Sequence, residues 1–352
     1  MRVAIDARKI ADYGIGTYIR GLLGGLAEIG GEERYVVLAP AAARQHIPQQ
    51  FEHVVLDAPH YSFRELLVVS RAVERARADV FHAPHYVVPF TRVPTVVTIH
   101  DLIHLHQKLE NRLAPLYARI MIGRAVRKSV RVLTVTQAVR GQIVRELKCD
   151  EQKVSVTPNG VDVIFQRAEP SRSPARYFLF VGNDKPHKNV DRLVEAHALL
   201  RTTIPDSSLV LVGARFRRFG SLEGVITPGF VSNSELASLY RNALALVQPS
   251  LEEGFGLPAL EAMSSGTAVI TSRDPALLEI TGEAALHVDA QSPDEIAAAM
   301  LHIASDDDLR FASATRGIER ARRFTWRECA RETLRVYREA LQSAAAPASP
   351  LA

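Results

Sequence analysis

A chain of 352 residues is longer than one hydrophobic core comfortably supports, so two domains are expected. Apolar residues make up 47% and charged residues 23%, an ordinary soluble composition that excludes a disordered chain. A net charge of +4 is mild for this length and speaks against nucleic acid as a partner, and the distant pair Cys149 and Cys329 has no metal or redox spacing, which fits a reducing cytosol.

The chain opens on "MRVAIDA", whose apolar run is too short for a signal peptide, and no stretch is long and apolar enough to span a bilayer. A cytoplasmic protein without a cleaved leader is expected. "RVAIDA" (2–7) reads as a strand, followed by a helical run from Thr17 to about Ile29. "YVVLA" (35–39), "HVVL" (53–56), "DVFH" (79–82), "TVVTI" (95–99) and "VLTV" (132–135) continue the series. These runs are apolar on both faces, as in a buried parallel sheet, and the strand–helix alternation predicts a doubly wound α/β fold. Residues 112–131 hold six basic residues and no acidic ones, threaded through Leu113, Leu116, Ile120, Ile122 and Val126. Such a helix either packs on the core with a solvated arginine face or meets an anionic membrane peripherally, at the inner face. "VTPNGVDVIFQRAEPSRSPARY" (156–177), with three prolines, reads as a linker. Alternation then restarts with "YFLFVG" (177–182), a helix from about Asn189, "LVLVG" (209–213), "GVITPGF" (224–230), "ALALVQ" (243–248), "TAVIT" (267–271) and "ALHV" (285–288). The predicted architecture is two Rossmann-like domains facing a cleft, 1–165 and 170–324. A last helix at about 325–342, with Trp326, Ala330, Leu334, Tyr337 and Leu341 on one stripe, is expected to pack back on the first domain.

Ligands of such sheets collect at the carboxyl ends of strands. After the first strand, Gly14 and Gly16 precede a helix and offer bare backbone N–H groups to a phosphate, but Ile19 stands where a dinucleotide fingerprint needs its third glycine. His100 and Asp101 directly follow "TVVTI", where an imidazole suits a sugar hydroxyl or developing charge; His82 and His85 are weaker candidates on the same logic. Lys185 and Lys188 follow "YFLFVG", before a helix, as a diphosphate clamp would. In "EEGFGLPALEAM" (252–263), Pro258 suits a helix start, Gly254 and Gly256 let the backbone approach a ligand, and Glu253 and Glu261 flank the loop. Glu261 is placed in the first turn of that helix. "SDDD" (305–308) has the spacing of a metal motif but reads as a helix cap.

This constellation resembles the retaining glycosyltransferases of family 4, which have the GT-B fold. The resemblance rests on Glu253-GFGLPAL-Glu261 within "PSLEEGFGLPALEAMSSGTAVITS", on "VTPNGVD", on "VGNDKPHKN" and on "GIGTY". "DARKIADYGIGTYIRGLL" with "HDLIHL" resembles the bacterial mannosyltransferase branch. The resemblance implies transfer of a hexose, mannose from GDP-mannose, to a glycan or lipid-linked glycan acceptor in polysaccharide or O-antigen assembly. A UDP-glucose-type donor, or a GT-B nucleotide-sugar epimerase, is the alternative. The nucleotide sugar is a substrate, and neither cofactor nor metal is expected. By the same resemblance Glu253 binds hexose hydroxyls and Glu261 the ribose. Backbone N–H groups of Phe255, Gly256 and Leu257 meet the sugar and diphosphate, Lys188 neutralises the leaving diphosphate with Gly16 contributing, Phe230 and Val231 frame the base, and His100 contacts the hexose. The family's usual Arg five residues before the lysine is here Asn183, for which Lys185 compensates in this reading. Acceptor loops are expected around 8–13, 59–64 and 102–112, with Arg8, Lys9, Asp101 and His104 as contacts. Retention is compatible with an enzyme nucleophile or with same-face attack assisted by the leaving phosphate, and the resemblance favours the second.

Overall fold

The computed structural model describes residues 1–57, 63–106, 113–167, 169–171 and 175–345. It divides into two compact units, Met1–Gly160 together with the chain from Thr325 onward, and Val161–Phe324. The first unit runs β1 (Arg2–Asp6), α1 (Ile15–Ile29), β2 (Arg34–Ala39), β3 (Glu52–Val55), α2 (Phe63–Arg75), β4 (Val80–Ala83), β5 (Thr95–Ile99), α3 (Ile103–His106), α4 (Leu113–Lys128), β6 (Arg131–Thr134), α5 (Gln137–Leu147) and β7 (Val154–Val156). The second runs β8 (Tyr177–Asn183), α6 (Val190–Arg201), β9 (Ser208–Ala214), β10 (Val225–Gly229), α7 (Asn233–Asn242), β11 (Ala245–Gln248), α8 (Leu257–Ser264), β12 (Ala268–Ser272), α9 (Pro275–Thr281), β13 (Leu286–Val288), α10 (Pro293–Ser305) and α11 (Asp307–Ala321). Helix α12 (Trp326–Ala345) belongs to the first unit again.

Both sheets are parallel throughout, ordered β3-β2-β1-β4-β5-β6-β7 and β10-β9-β8-β11-β12-β13. The uninterrupted apolar runs explain this, since β1, β5, β11 and β12 are buried on both faces. Strand order reverses between β1 and β4 in one unit and between β8 and β11 in the other. Those reversals mark where ligands bind in open α/β sheets.

Three boundaries differ from the sequence reading. Helix α1 begins at Ile15 rather than Thr17, because Gly14 adopts φ 71 and caps it. The predicted linker hides the end of a strand: Val154–Val156 pairs with β6, too short to show a pattern. The division between units falls at Gly160/Val161, directly after the Pro-Asn-Gly turn. Phe165 is buried with its ring 5.7 Å from that of Tyr240, and Arg167 N donates to Ser264 O at 3.0 Å, so the segment from Val161 packs with the second unit.

The C-terminal helix packs on α1, and its predicted stripe enters the core of the first unit with Cys329, Val336 and Ala340. Close approach is the reason it fits. A Cβ on Gly21 would lie 2.1 Å from the Trp326 ring, one on Gly25 2.3 Å from Trp326 O, and one on Gly160 2.1 Å from Trp326 N. His82 is part of this packing, not of a site. Its Nδ1 lies 2.7 Å from the Tyr337 hydroxyl and its Nε2 2.8 Å from Thr98 Oγ1, and burial lowers its pKa to about 3, which keeps it neutral.

Candidate active site

In the second unit the loops after β8 and β11 lie side by side because these strands pair at the order reversal. They are laced together. Leu251 N donates to His187 O at 2.7 Å, and the buried Asn189 Nδ2 donates to Pro249 O at 3.0 Å and to Ala290 O at 2.6 Å. This brings together two residues far apart in sequence: Lys188 Nζ donates to Glu253 Oε1 at 2.6 Å.

Glu253 is nearly buried, and the same Oε1 accepts from Gln248 Nε2 at 2.8 Å and Ser250 Oγ at 2.7 Å. Burial alone would raise this carboxyl. The charge of Lys188 and the three hydrogen bonds outweigh burial and hold it below the ordinary value. Glu253 N donates to Asp274 Oδ2 at 3.4 Å, while Asp274 Oδ1 caps α9 through Ala276 N and Leu277 N. Burial, helped by the Glu253 charge, lifts Asp274 to about 6. The site thus brings a fixed carboxylate, an ammonium and a second carboxyl of shifted pKa together from the carboxyl ends of β11, β8 and β12.

Helix α8 opens on Gly256, whose φ of +99 favours glycine and where a Cβ would meet Leu277 Cδ2 at 2.5 Å. Gly254 and Phe255 are buried, the Phe255 ring stacking edge-on 6.1 Å from Phe324. Leu257 is the first helical residue, and no side chain caps the helix. Pro258 follows Leu257 in that first turn. Glu261 is not in the first turn; it is the fifth residue of α8, half-buried, and its Oε2 accepts from Tyr240 Oη at 2.9 Å. Burial raises Glu261 to about 7 from an ordinary 4.5. Between those values the folded protein keeps a proton that the unfolded chain releases, so this group's contribution to stability falls as pH rises from about 4.5 to about 7. Glu261→Gln should therefore melt higher than wild type at about pH 8 and level with it at about pH 4. Melting curves at the two pH values test this, and a midpoint difference that ignores pH would refute it.

Asn183 ends β8 with its Oδ1 buried and unpartnered among the described residues. Lys185 is exposed in the next turn. Between them Asp184 is held by Arg218, which also grips Asp191, through Nη1 and Nε bonds of 2.7 Å. Phe230 and Val231 follow β10, Phe230 being 58% exposed. Asp306, in "SDDD", caps α11 by accepting from Leu309 N, as the cap reading expects.

The remaining predicted residues lie in the first unit. Gly16 is required where it is: a Cβ would lie 2.6 Å from Ile10 O. His100 Nε2 lies 3.1 Å from Pro84 O, and its ring packs 4.7 Å from Tyr18 of "GIGTY". A carbonyl only accepts, so Nε2 carries the proton; burial lowers the pKa, and the neutral ring presents Nδ1 as an acceptor rather than a donor. Asp101 Oδ1 accepts from Ile103 N at 3.1 Å, and His104 is exposed. Arg8, expected at an open acceptor loop, is buried. It donates to Asp6 at 2.8 and 2.6 Å and to Glu65 at 2.8 Å. His85 Nε2 approaches Asp6 at 3.3 Å, and Asp6 sits well below the usual carboxylate range because Arg8 and His85 overcome its burial. Lys9 is also buried, 3.6 Å from Asp12. Residues 58–62 and 107–112, which hold most of two expected acceptor loops, lie outside the described residues.

The family description "Glycosyltransferase Family 4" matches residues 13–165 and "Glycosyl transferases group 1" matches 163–323. The MMP alpha-(1->4)-mannosyltransferase of Mycolicibacterium hassiacum is 31% identical over 277 residues, covering 72% of this chain and 67% of that protein. The chain belongs to glycosyltransferase family 4. O-antigen chain mannosyltransferase B of Escherichia coli is 29% identical to this glycosyltransferase over 287 residues, 74% of each chain. The structure of Anabaena HepE in complex with UDP and glucose superposes with a TM-score of 0.77 at 17% identity, over 96% of this chain and 99% of that one. The glycosyltransferase therefore has the GT-B fold. Its site includes residues that sequence reasoning did not single out: Gln248, Ser250, Asn189, Tyr240 and Asp274. Of these, Asp274 carried a signal, an Asp-Pro pair at a helix start. Among the described residues no helix of the glycosyltransferase is long and apolar enough to cross a membrane, and no group of three or more His, Cys, Asp or Glu is placed to hold a metal.

Proposed function

We propose that this glycosyltransferase moves mannose from GDP-mannose, with retention, to a saccharide or lipid-linked saccharide acceptor in polysaccharide or O-antigen assembly. The observation that carries the reading is the pair of half-buried Lys188 and buried Glu253 at the order reversal of the second sheet, beside the start of α8, which no side chain caps. An ammonium and backbone N–H groups there suit a departing diphosphate without a metal, and a fixed carboxylate suits sugar hydroxyls. Mannose is supported by the two relatives described above, which are mannosyltransferases, while other relatives are D-inositol 3-phosphate glycosyltransferases. In the same-face route the bond from C1 to the diphosphate breaks and the acceptor oxygen bonds C1 from that face. The acceptor's proton goes to the departing phosphate oxygen.

A donor panel tests this. GDP-mannose should raise the melting midpoint and yield mannosylated acceptor, whereas preference for UDP-glucose would replace the donor, and no response to any nucleotide sugar would end the reading. In the same assay Lys185→Ala should weaken donor binding roughly fivefold, the weight of one exposed charge. Unchanged affinity would show that Lys185 does not stand in for the arginine missing at Asn183.

A further inference from the structure

Two carboxyl groups and one ammonium meet where β8, β11 and β12 end side by side. Glu253 takes the ammonium of Lys188 at 2.6 Å, together with the side chains of Gln248 and Ser250. Asp274 takes no cation among the described residues. Its Oδ1 accepts from Ala276 N at 2.9 Å and from Leu277 N at 3.1 Å, and its Oδ2 from Glu253 N at a long 3.4 Å. One oxygen of Asp274 is thus committed to capping α9, while the other is weakly engaged and lies against the Glu253 loop.

The charged groups around Asp274 come from several elements. From the loop after β11, the Glu253 charge pushes its pKa upward. From the loop after β8, Lys188 is bonded to Glu253 instead. Beside Asp274 in sequence, Arg273 is taken by Glu295 of α10; on β13 His287 is taken by Thr281 at 2.9 Å, and on α8 Glu261 by Tyr240 at 2.9 Å. Glu279 and Glu283 stand more than a turn beyond the start of α9. Burial and the Glu253 charge oppose ionisation of Asp274, backbone donors favour it, and the balance leaves it at about 6. Of the two carboxyls in this cluster, Glu253 is held ionised and Asp274 is the one near neutrality.

A nucleotide sugar brings a doubly charged diphosphate to the cluster. The diphosphate draws on the Lys188 ammonium, so Glu253 has to share its counter-charge. An anion placed beside a carboxyl raises its pKa, and the carboxyl closer to neutrality responds first. We propose that Asp274 is the proton acceptor of the donor site: on donor binding a proton from solvent adds to its Oδ2 and offsets part of the diphosphate charge. No bond of the donor changes in this step, and Oδ1 keeps the α9 cap. The inference rests on the assignment of the site to a nucleotide-sugar donor. Its sign is fixed by linkage: binding that takes up a proton weakens as pH rises above about 6.

Titration calorimetry of the full chain with GDP-mannose at pH 6.5, in buffers of low and high ionisation enthalpy, counts the protons. The diphosphate of a nucleotide sugar has none to gain or lose at this pH. Wild type is expected to take up roughly half a proton more than Asp274→Asn, and between pH 6 and pH 8 to lose about tenfold more affinity than the variant. Glu261 releases a proton where it accepts from ribose hydroxyls, but it does so in both proteins and drops out of the difference. Asn caps a helix as Asp does, so α9 should persist. Should Asp274→Asn melt well below wild type, Asp274→Ser, also a capping residue, gives the same contrast. Equal proton counts in wild type and variant, or affinities that fall in parallel with pH, would overturn the proposal and leave the donor assignment standing. UDP-glucose takes the place of GDP-mannose where it is the donor bound. No binding of either by wild type would end the donor assignment and this inference with it.

Discussion

Lys188→Ala is expected to lower kcat by about two to three orders of magnitude, the scale of losing one preorganised charge donor. It should also cost on the order of 3 kcal/mol of stability, because a nearly buried carboxylate loses its counter-charge. In the native site three donors converge on one oxygen of Glu253. Without the ammonium, Gln248 and Ser250 remain, burial dominates, and the Glu253 carboxyl moves upward in pKa. Protonated, it would no longer accept from sugar hydroxyls on equal terms. The double variant Lys188→Ala/Glu253→Gln separates the two effects. Removing the orphaned charge should restore much of the lost stability and none of the turnover. Steady-state kinetics with thermal melts reads both. A Lys188→Ala enzyme within a fewfold of wild-type kcat would remove the pair from the mechanism.

Gly24→Ala and Gly25→Ala are expected to shift stability in opposite directions, although they are neighbours in α1. Both gain up to about 1 kcal/mol from helix propensity. A Cβ on Gly24 meets nothing within 4 Å, so Gly24→Ala keeps that gain. A Cβ on Gly25 would lie 2.3 Å from Trp326 O and 2.9 Å from Ala330 Cβ. A backbone oxygen cannot turn aside as a flexible side chain would, so α12 must shift. The cost of overpacking is roughly 1–3 kcal/mol or more, enough to exceed the propensity gain. Denaturant midpoints of the two variants decide it. Equal shifts would mean that the α1–α12 contact is softer than described.

How much of this was readable depended on distance along the chain. Buried parallel strands are continuous apolar runs, so "TVVTI" and "TAVIT" announce themselves, whereas Val154–Val156 is too short to do so. The glycine loop before α8 was readable because its residues are contiguous. The bond from Lys188 to Glu253 spans 65 positions and exists because β8 and β11 are neighbours, a fact of strand order that no local pattern carries. Arg8 was misplaced for the same reason. Its partner Glu65 is 57 positions away, and a loop arginine looks exposed until that carboxylate is brought to it. Glu261 slipped out of the first turn by a single residue, because α8 starts at Leu257, on Gly256, rather than at Pro258.

Trp326 is the chain's only tryptophan, and it lies in the first unit among Gly21, Gly25 and Gly160. Indole emission is consequently a label that the protein already carries for one half of itself. The second unit, with no indole, registers in far-ultraviolet dichroism but not in that emission. A single denaturation followed by both signals therefore times the halves separately. Coincident curves would mean that they melt as one body, and a lag between them would give the order in which they come apart.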